Sequence, residues 1–160
     1  DKLHKIFGMY GEVKNAKSLA KTIATSRLEQ PILTLADFKK IIAAHIPKGK
    51  ENKYLAQVFQ ALRIEVNQEM ESLKEFLNQT IDVLVPGGRL VVMSYHSLED
   101  RLVKNFLAKG KFSGMVEKDF FGNEIKPFDL VVKKSITASD EEIKLNNRAR
   151  SARLRIAIKR

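Results

Sequence analysis

The sequence predicts an α/β fold, and three observations carry that expectation. A long apolar stripe at helical spacing runs up to Pro86-Gly87-Gly88, a turn that no helix continues through. The apolar run Leu90-Val91-Val92-Met93 follows without alternation, as in a strand buried on both faces. A polar switch at Ser94-Tyr95-His96-Ser97 then opens another amphipathic stretch. Helix, turn, strand and helix in that order form a crossover pattern. The 160 residues suit about one domain with a small appendage, long enough to bury a real core.

The elements follow in order. Val13, Ala16, Leu19, Ala20 and Ile23 space a first helix, and Pro31 ends that region. Thr34, with Asp37 three positions on, starts a second helix in capping-box fashion. Its stripe is Leu35, Phe38, Ile41, Ile42 and Ile46, closed by Pro47-Lys48-Gly49-Lys50. Residues 48–53 read as a polar, basic loop. Phe59, Leu62, Val66, Met70, Leu73, Leu77, Ile81 and Leu84 then predict one long third helix. Ser97 caps the helix that carries Leu98, Leu102, Val103, Phe106 and Leu107, with Glu99 and Asp100 in its first turn and Gly110 at its end. Residues 112–127 read as loop, and Asp129-Leu130-Val131-Val132-Lys133 as a strand. Ser139 and Glu142 box a short helix running to about Asn146. Leu154, Ile156 and Ile158 alternate with Arg153, Arg155 and Lys159, which predicts a strand whose basic face is wet.

Composition narrows the function. No apolar run approaches the ~20 residues of a membrane span. Cysteine is absent, which excludes a disulfide framework, a thiolate zinc site and a cysteine nucleophile, and fits a cytoplasmic protein. The opening Asp1-Lys2-Leu3-His4-Lys5 lacks the apolar stretch of a secretory leader. The first residue is not Met, so the chain is expected to be a piece of something longer. With 29 basic and 19 acidic residues the net charge is +10, which favours polyanionic partners. Residues 144–160 hold seven basic side chains and no acid: Lys144, Arg148, Arg150, Arg153, Arg155, Lys159 and Arg160. Arginine's planar fork suits phosphate.

Ligands of open α/β sheets bind beyond the carboxyl ends of the strands. Here that end is Ser94-Tyr95-His96-Ser97. His96 is placed to orient a substrate or accept a proton, or it satisfies a nearby carbonyl. Tyr95 either stacks on a base or fills the rim. Arg148, Arg150 and Arg153 form a phosphate-facing patch, with plain solvation as the competing reading. Arg63, Glu65 and Asn67 lie on the long helix, where a salt-bridged or solvated face is the simpler reading. No serine sits in a nucleophile elbow, so Ser-His-Asp hydrolysis is unsupported. No metal site is expected. No glycine-rich loop follows a strand, and Gly87-Gly88 precedes one.

Four blocks carry a resemblance. They are Phe59-Gln60-Ala61-Leu62-Arg63-Ile64-Glu65-Val66-Asn67, Pro86-Gly87-Gly88-Arg89-Leu90, Ser94-Tyr95-His96-Ser97-Leu98-Glu99-Asp100-Arg101 and Asn147-Arg148-Ala149-Arg150-Ser151-Ala152. Together with Tyr10-Gly11-Glu12 they resemble, in order, the bacterial ribosomal RNA small-subunit methyltransferase H family, also called MraW. The resemblance implies an S-adenosylmethionine-dependent enzyme with a Rossmann-like class I methyltransferase core, interrupted by a helical insertion that helps recognise substrate. It implies methylation of the exocyclic N4 of a cytidine in 16S rRNA, near the ribosomal P site. Residues 1–54 would be the insertion subdomain and 55–160 the carboxyl half of the core, ending in an antiparallel strand pair.

The family's glycine-rich cofactor loop and the acidic residue for the ribose have no counterpart here and are expected upstream of Asp1. The chain is therefore expected to be the C-terminal half of the enzyme, inactive alone and a poor binder of S-adenosylmethionine. On that basis Ser94 and His96 are catalytic candidates. Arg63, Asn67, Tyr95, Arg148, Arg150 and Arg153 are substrate-binding candidates, with 16S rRNA or the small ribosomal subunit as partner. Two other readings stand beside this one: a non-enzymatic basic RNA-binding module, and a homodimer in which copies cover each other's exposed sheet edges.

Overall fold

A computed structural model describes residues 1–160 and gives two compact units, Asp1–Glu69 and Met70–Arg160. The first is helical. It holds α1 (Lys2–Met9), α2 (Ala16–Glu29), α3 (Leu35–Ile42), a 3-10 turn (Ala43–His45) and α4 (Glu51–Asn67). Phe7, Leu19, Ile42, Val58 and Ala61 are fully buried at its centre. Gly11 is required where the chain after α1 meets α4, because a Cβ there would stand 2.7 Å from the Gln57 carbonyl. A polar chain ties the helices together as well. The Tyr54 hydroxyl donates to Asn15 Oδ1 at 2.9 Å, and Asn15 Nδ2 donates to the His45 carbonyl at 2.9 Å. Burial pushes the Tyr54 phenol up from its ordinary value, against that hydrogen bond to Asn15. The expected Thr34 capping box is present, with Thr34 Oγ1 accepting from the Asp37 N–H and Asp37 Oδ2 accepting from the Thr34 N–H.

The second unit holds α5 (Glu69–Val83, from Met70 onward), β1 (Arg89–Ser94), α6 (Ser97–Lys109), β2 (Glu117–Lys118), β3 (Glu124–Ile125), β4 (Phe128–Leu130), α7 (Asp140–Leu145), a 3-10 turn (Asn147–Ser151) and β5 (Arg153–Lys159). The main sheet has the order β1-β5-β4, antiparallel throughout, and β2 and β3 form a separate antiparallel hairpin. The expected antiparallel pairing of the last two strands is thus present as β4 and β5. Leu77, Phe106, Leu107, Phe128 and Ala157 fill the core beneath the sheet. Gly110 ends α6 with φ +75°, and a Cβ there would stand 2.7 Å from the Pro127 ring. No helix is long and apolar enough to cross a membrane.

Several expectations need correction. The long third helix is two helices, because Gln68 adopts a left-handed conformation at φ 51°. The apolar faces explain the break. α4 buries Tyr54, Val58, Ala61 and Ile64, whereas α5 buries Met70 and Leu77, and one straight helix would turn those faces to different sides. Val66, counted in the single stripe, is exposed. The helix also begins at Glu51, inside the stretch expected to be loop. As α4 supplies core to the helical unit, the units part at Glu69 and Met70 rather than after residue 54. α1 lay in a stretch with no predicted element.

In the sheet, β1 is buried on one face rather than both. Leu90, Val92 and Ser94 point inward while Val91 and Met93 are each 53% exposed. The strand expected over 129–133 is the shorter β4. β5 inverts its expected faces, since Arg155 and Ala157 are the buried residues. Register explains this: Arg155 lies opposite Val92 and Ala157 opposite Leu90, so the face they share is the one over the core.

Candidate functional site

β1 delivers Ser94, Tyr95 and His96 to the start of α6, and the geometry there differs from the expectation in one telling respect. The helix cap is His96, not Ser97. The segment contains two overlapping boxes, His96-x-x-Glu99 and Ser97-x-x-Asp100, and the structure uses the first. His96 Nδ1 accepts the Glu99 N–H at 3.3 Å. Glu99 Oε2 in return accepts the N–H groups of Tyr95 at 2.9 Å and His96 at 3.2 Å. Asp100 is committed elsewhere. Its two oxygens accept from Arg155 Nε at 2.7 Å and from a terminal nitrogen at 2.9 Å, a bidentate pair whose arginine is only 7% exposed. That pair fixes the side of α6 facing β5, and Glu99 is left to close the turn.

Burial raises the Glu99 carboxyl, but the His96 side chain and the backbone N–H groups of Tyr95 and His96 outweigh it, so the group sits at about 2. The His96 Nε2 atom is buried without a hydrogen bond, 3.3 Å from Glu99 Oε1. Ser94 is buried, and its hydroxyl donates to the Arg153 carbonyl at 3.4 Å. Ser94 and His96 therefore hold the turn, while Tyr95 projects outward at 56% exposure.

Beside Tyr95 lies a groove of about 280 Å3. It is lined by Met93 and Tyr95, by Glu142 and Asn146 at the end of α7, and by Ala149 and Leu154. Ile136 and Leu154, both in the lining, are joined by an antiparallel bridge. Arg148 and Arg150 sit on the 3-10 turn whose Ala149 lines the groove, and Arg153 pairs with Ser94 across the sheet. None of these three arginines has a carboxylate within ion-pair distance. Arg155, their neighbour in the basic run, is spoken for by Asp100. The structure thus divides the five arginines of the basic segment into two that are paired, Arg155 with Asp100 and Arg160 with Asp129, and three with free forks. Such forks fit phosphate oxygens, and an exposed phenol ring beside a groove of mixed polarity fits the face of a base.

Arg63 and Asn67 belong to the helical unit. Arg63 makes a bidentate contact with Glu69, at 2.8 and 3.0 Å, and Asn67 Nδ2 reaches the same carboxylate at 3.3 Å. Both brace the break at Gln68. Sequence reasoning missed Glu99 as the organiser of the turn, and Asp100 with Arg155 as a pair. The overlapping boxes carried a signal for the first; nothing local signals the second.

The turn after β1 is not built like a glycine-rich cofactor loop. The strand-to-helix turn at Tyr95 and His96 has no glycine, and its N–H groups are taken by Glu99.

Comparison with known proteins agrees with the blocks read from the sequence. The model of the MraW methylase family matches residues 1–160. A protein of Cytophaga hutchinsonii named ribosomal RNA small subunit methyltransferase H is 58% identical over 155 residues, 97% of this chain and 52% of the relative. Proteins of the same name from Parabacteroides distasonis and Flavobacterium johnsoniae are 56% and 54% identical, each over 98% of this chain and 52% of the relative. The chain spans about half the length of the relatives it matches.

Proposed function

The chain belongs to the MraW methylase family, and from that premise we propose that it forms part of an S-adenosylmethionine-dependent methyltransferase acting on the exocyclic N4 of a cytidine in 16S rRNA. The observation that carries this reading is the family match along every residue, with more than half of the residues identical to relatives named for that class of enzyme. The sheet unit is the carboxyl portion of a Rossmann-like core, and the helical unit is an insertion that recognises substrate. The enzyme works in the cytoplasm, on 16S rRNA or the small subunit. The cofactor supplies the methyl group and is held by residues outside this chain.

This chain's own residues bind and orient RNA. Arg148, Arg150 and Arg153 hold backbone phosphates along the groove. Tyr95 stacks against a base that has been turned out of its helix, as chemistry on a base edge requires. Ser94 and His96 keep the turn in the geometry that aims Tyr95; they act as positioning residues. Arg63 and Asn67 lend their free donor capacity to substrate from the helical unit. Cytosine N4 is a weak nucleophile because its lone pair is delocalised, so alignment of the base is the main service a binding surface can give.

A second reading, a basic RNA-binding module without catalysis of its own, is favoured by one observation. Arg148, Arg150 and Arg153 all stand without a carboxylate partner within this chain. One experiment separates the two. The intact protein is incubated with unmethylated small subunits and S-adenosylmethionine, and the rRNA is digested to nucleosides. N4-methylcytidine is the expected product. RNA binding without methyl transfer supports the module, and a methyl group on another atom contradicts the proposed target.

A further inference from the structure

The hairpin of β2 and β3 presents two aromatic rings to water. Phe120 is 99% exposed and Phe121 85% exposed at its tip. They are held edge to face, with centroids 5.6 Å apart and planes at 87°. The tip is a built object. Asp119 Oδ1 accepts the N–H groups of Phe121 at 2.9 Å and Asn123 at 2.8 Å, and its other oxygen accepts from Asn123 Nδ2 at 2.9 Å. Asn123's side chain, then those backbone donors, hold the Asp119 carboxyl below its ordinary value. A turn this well satisfied has no folding need for two phenylalanines in solvent, and exposed apolar patches mark contact surfaces.

At the foot of the hairpin lies a groove of about 400 Å3 lined by Lys109, Lys111, Glu117, Ile125 and Lys126 among others. Three lysines and one glutamate give it a positive lining. Lys111 is paired with Glu117 at 2.8 Å, and Lys126 with Glu124 at 2.7 Å. Lys109 has no carboxylate and donates to the Gly114 carbonyl. Lys118, outside the groove on β2, lies opposite Glu124 and, after Lys126, helps hold that carboxyl below its ordinary value without a direct ion pair. A cationic groove at the foot of a hairpin whose tip carries exposed aromatic faces is an arrangement that takes single-stranded nucleic acid, with phosphates on the lysines and bases on the rings.

We propose that the Phe120–Phe121 hairpin and the lysine groove at its foot form a second RNA contact, which grips an unpaired stretch of the substrate by stacking. The inference rests on the RNA-modifying role above but concerns a different surface from the groove beside Tyr95. Faces set at right angles suit two bases splayed apart better than two in a continuous stack.

The test uses the intact protein and a short oligoribonucleotide, single-stranded or as a duplex, read by fluorescence anisotropy. The F120A/F121A variant should bind the single strand about tenfold or more weakly, with little change for the duplex. Its salt slope should match the parent's, whereas K109Q/K118Q should flatten the slope by about 0.7 for each lost phosphate contact. Phe120, Phe121 and Lys118 are exposed and Lys109 is partly buried, and unchanged thermal unfolding checks that both variants fold. Parent-like affinity of F120A/F121A for the single strand overturns the proposal. So does a loss confined to assembled small subunits with naked RNA unaffected, which marks a protein partner. R148Q/R150Q/R153Q serves as the internal comparison. If it weakens binding while F120A/F121A does not, only the hairpin proposal fails; if the parent binds no RNA at all, both fail.

Discussion

The turn after β1 and the tip between β2 and β3 are organised by the same device in opposite settings. In each, one carboxylate closes the turn by accepting two backbone N–H groups: Glu99 from Tyr95 and His96, Asp119 from Phe121 and Asn123. In each, an aromatic residue is left pointing outward. The difference is what lies behind the turn. Glu99 stands beside the Asp100–Arg155 pair and a half-buried histidine, so its bonds are shielded from water and couple to the sheet. Asp119 is fully open to solvent, so its bonds shape the tip without holding the fold. One turn is welded to the core and the other stands free of it.

Breaking the welded turn should therefore cost far more. The largest effect is expected from Arg155→Met or Asp100→Asn, each of which strands one member of a buried pair. A loss of about 3 kcal/mol in denaturant unfolding is expected for either. Combining them should restore part of it, because the double variant strands no charge.

Glu99→Gln should come next, at about 1–2 kcal/mol near neutral pH after allowing for solvent screening. The folded-state value of about 2 lies below the ordinary 4.5, so the carboxylate's contribution is full above pH 4.5 and fades as pH falls toward 2. Parent and variant unfolding curves should therefore converge across that acid window. His96→Ala removes the cap acceptor and should cost about 1 kcal/mol. It should also lower methyl transfer by the intact enzyme through the loosened Tyr95, and an unchanged rate would remove that positioning role. The smallest effect belongs to Asp119→Ala, which should leave the unfolding midpoint in place while amide exchange quickens at Phe121 and Asn123.

The contrast also explains what could be read from the chain beforehand. The Thr34 box was legible because both partners lie within one turn of sequence. His96 against Ser97 was not decidable locally, since two boxes overlap and Asp100's attachment to Arg155, across 55 positions, makes the choice. Alternation in β5 was real, but its polarity was inverted, because Leu154 and Ile156 look like core until register places Ala157 over Leu90. The stripe from Phe59 to Leu84 failed for a related reason. Small Ala61 and aromatic Tyr54 define the buried face of α4, and neither stood out in the pattern. Strands of two residues carry no period at all, so the hairpin of Phe120 and Phe121 read as loop. Of the candidate site, the segment from Ser94 to His96 and the three arginines were legible as residue types. Their division into supports and free donors needed coordinates.

The most direct test of the account is the salt dependence of RNA binding by the intact protein and by R148Q/R150Q/R153Q. If these three forks hold phosphates, the log–log slope should fall by about 2 in the triple variant, at about 0.7 per contact on a single strand. An identical slope for the two proteins would contradict the claim that this surface faces RNA.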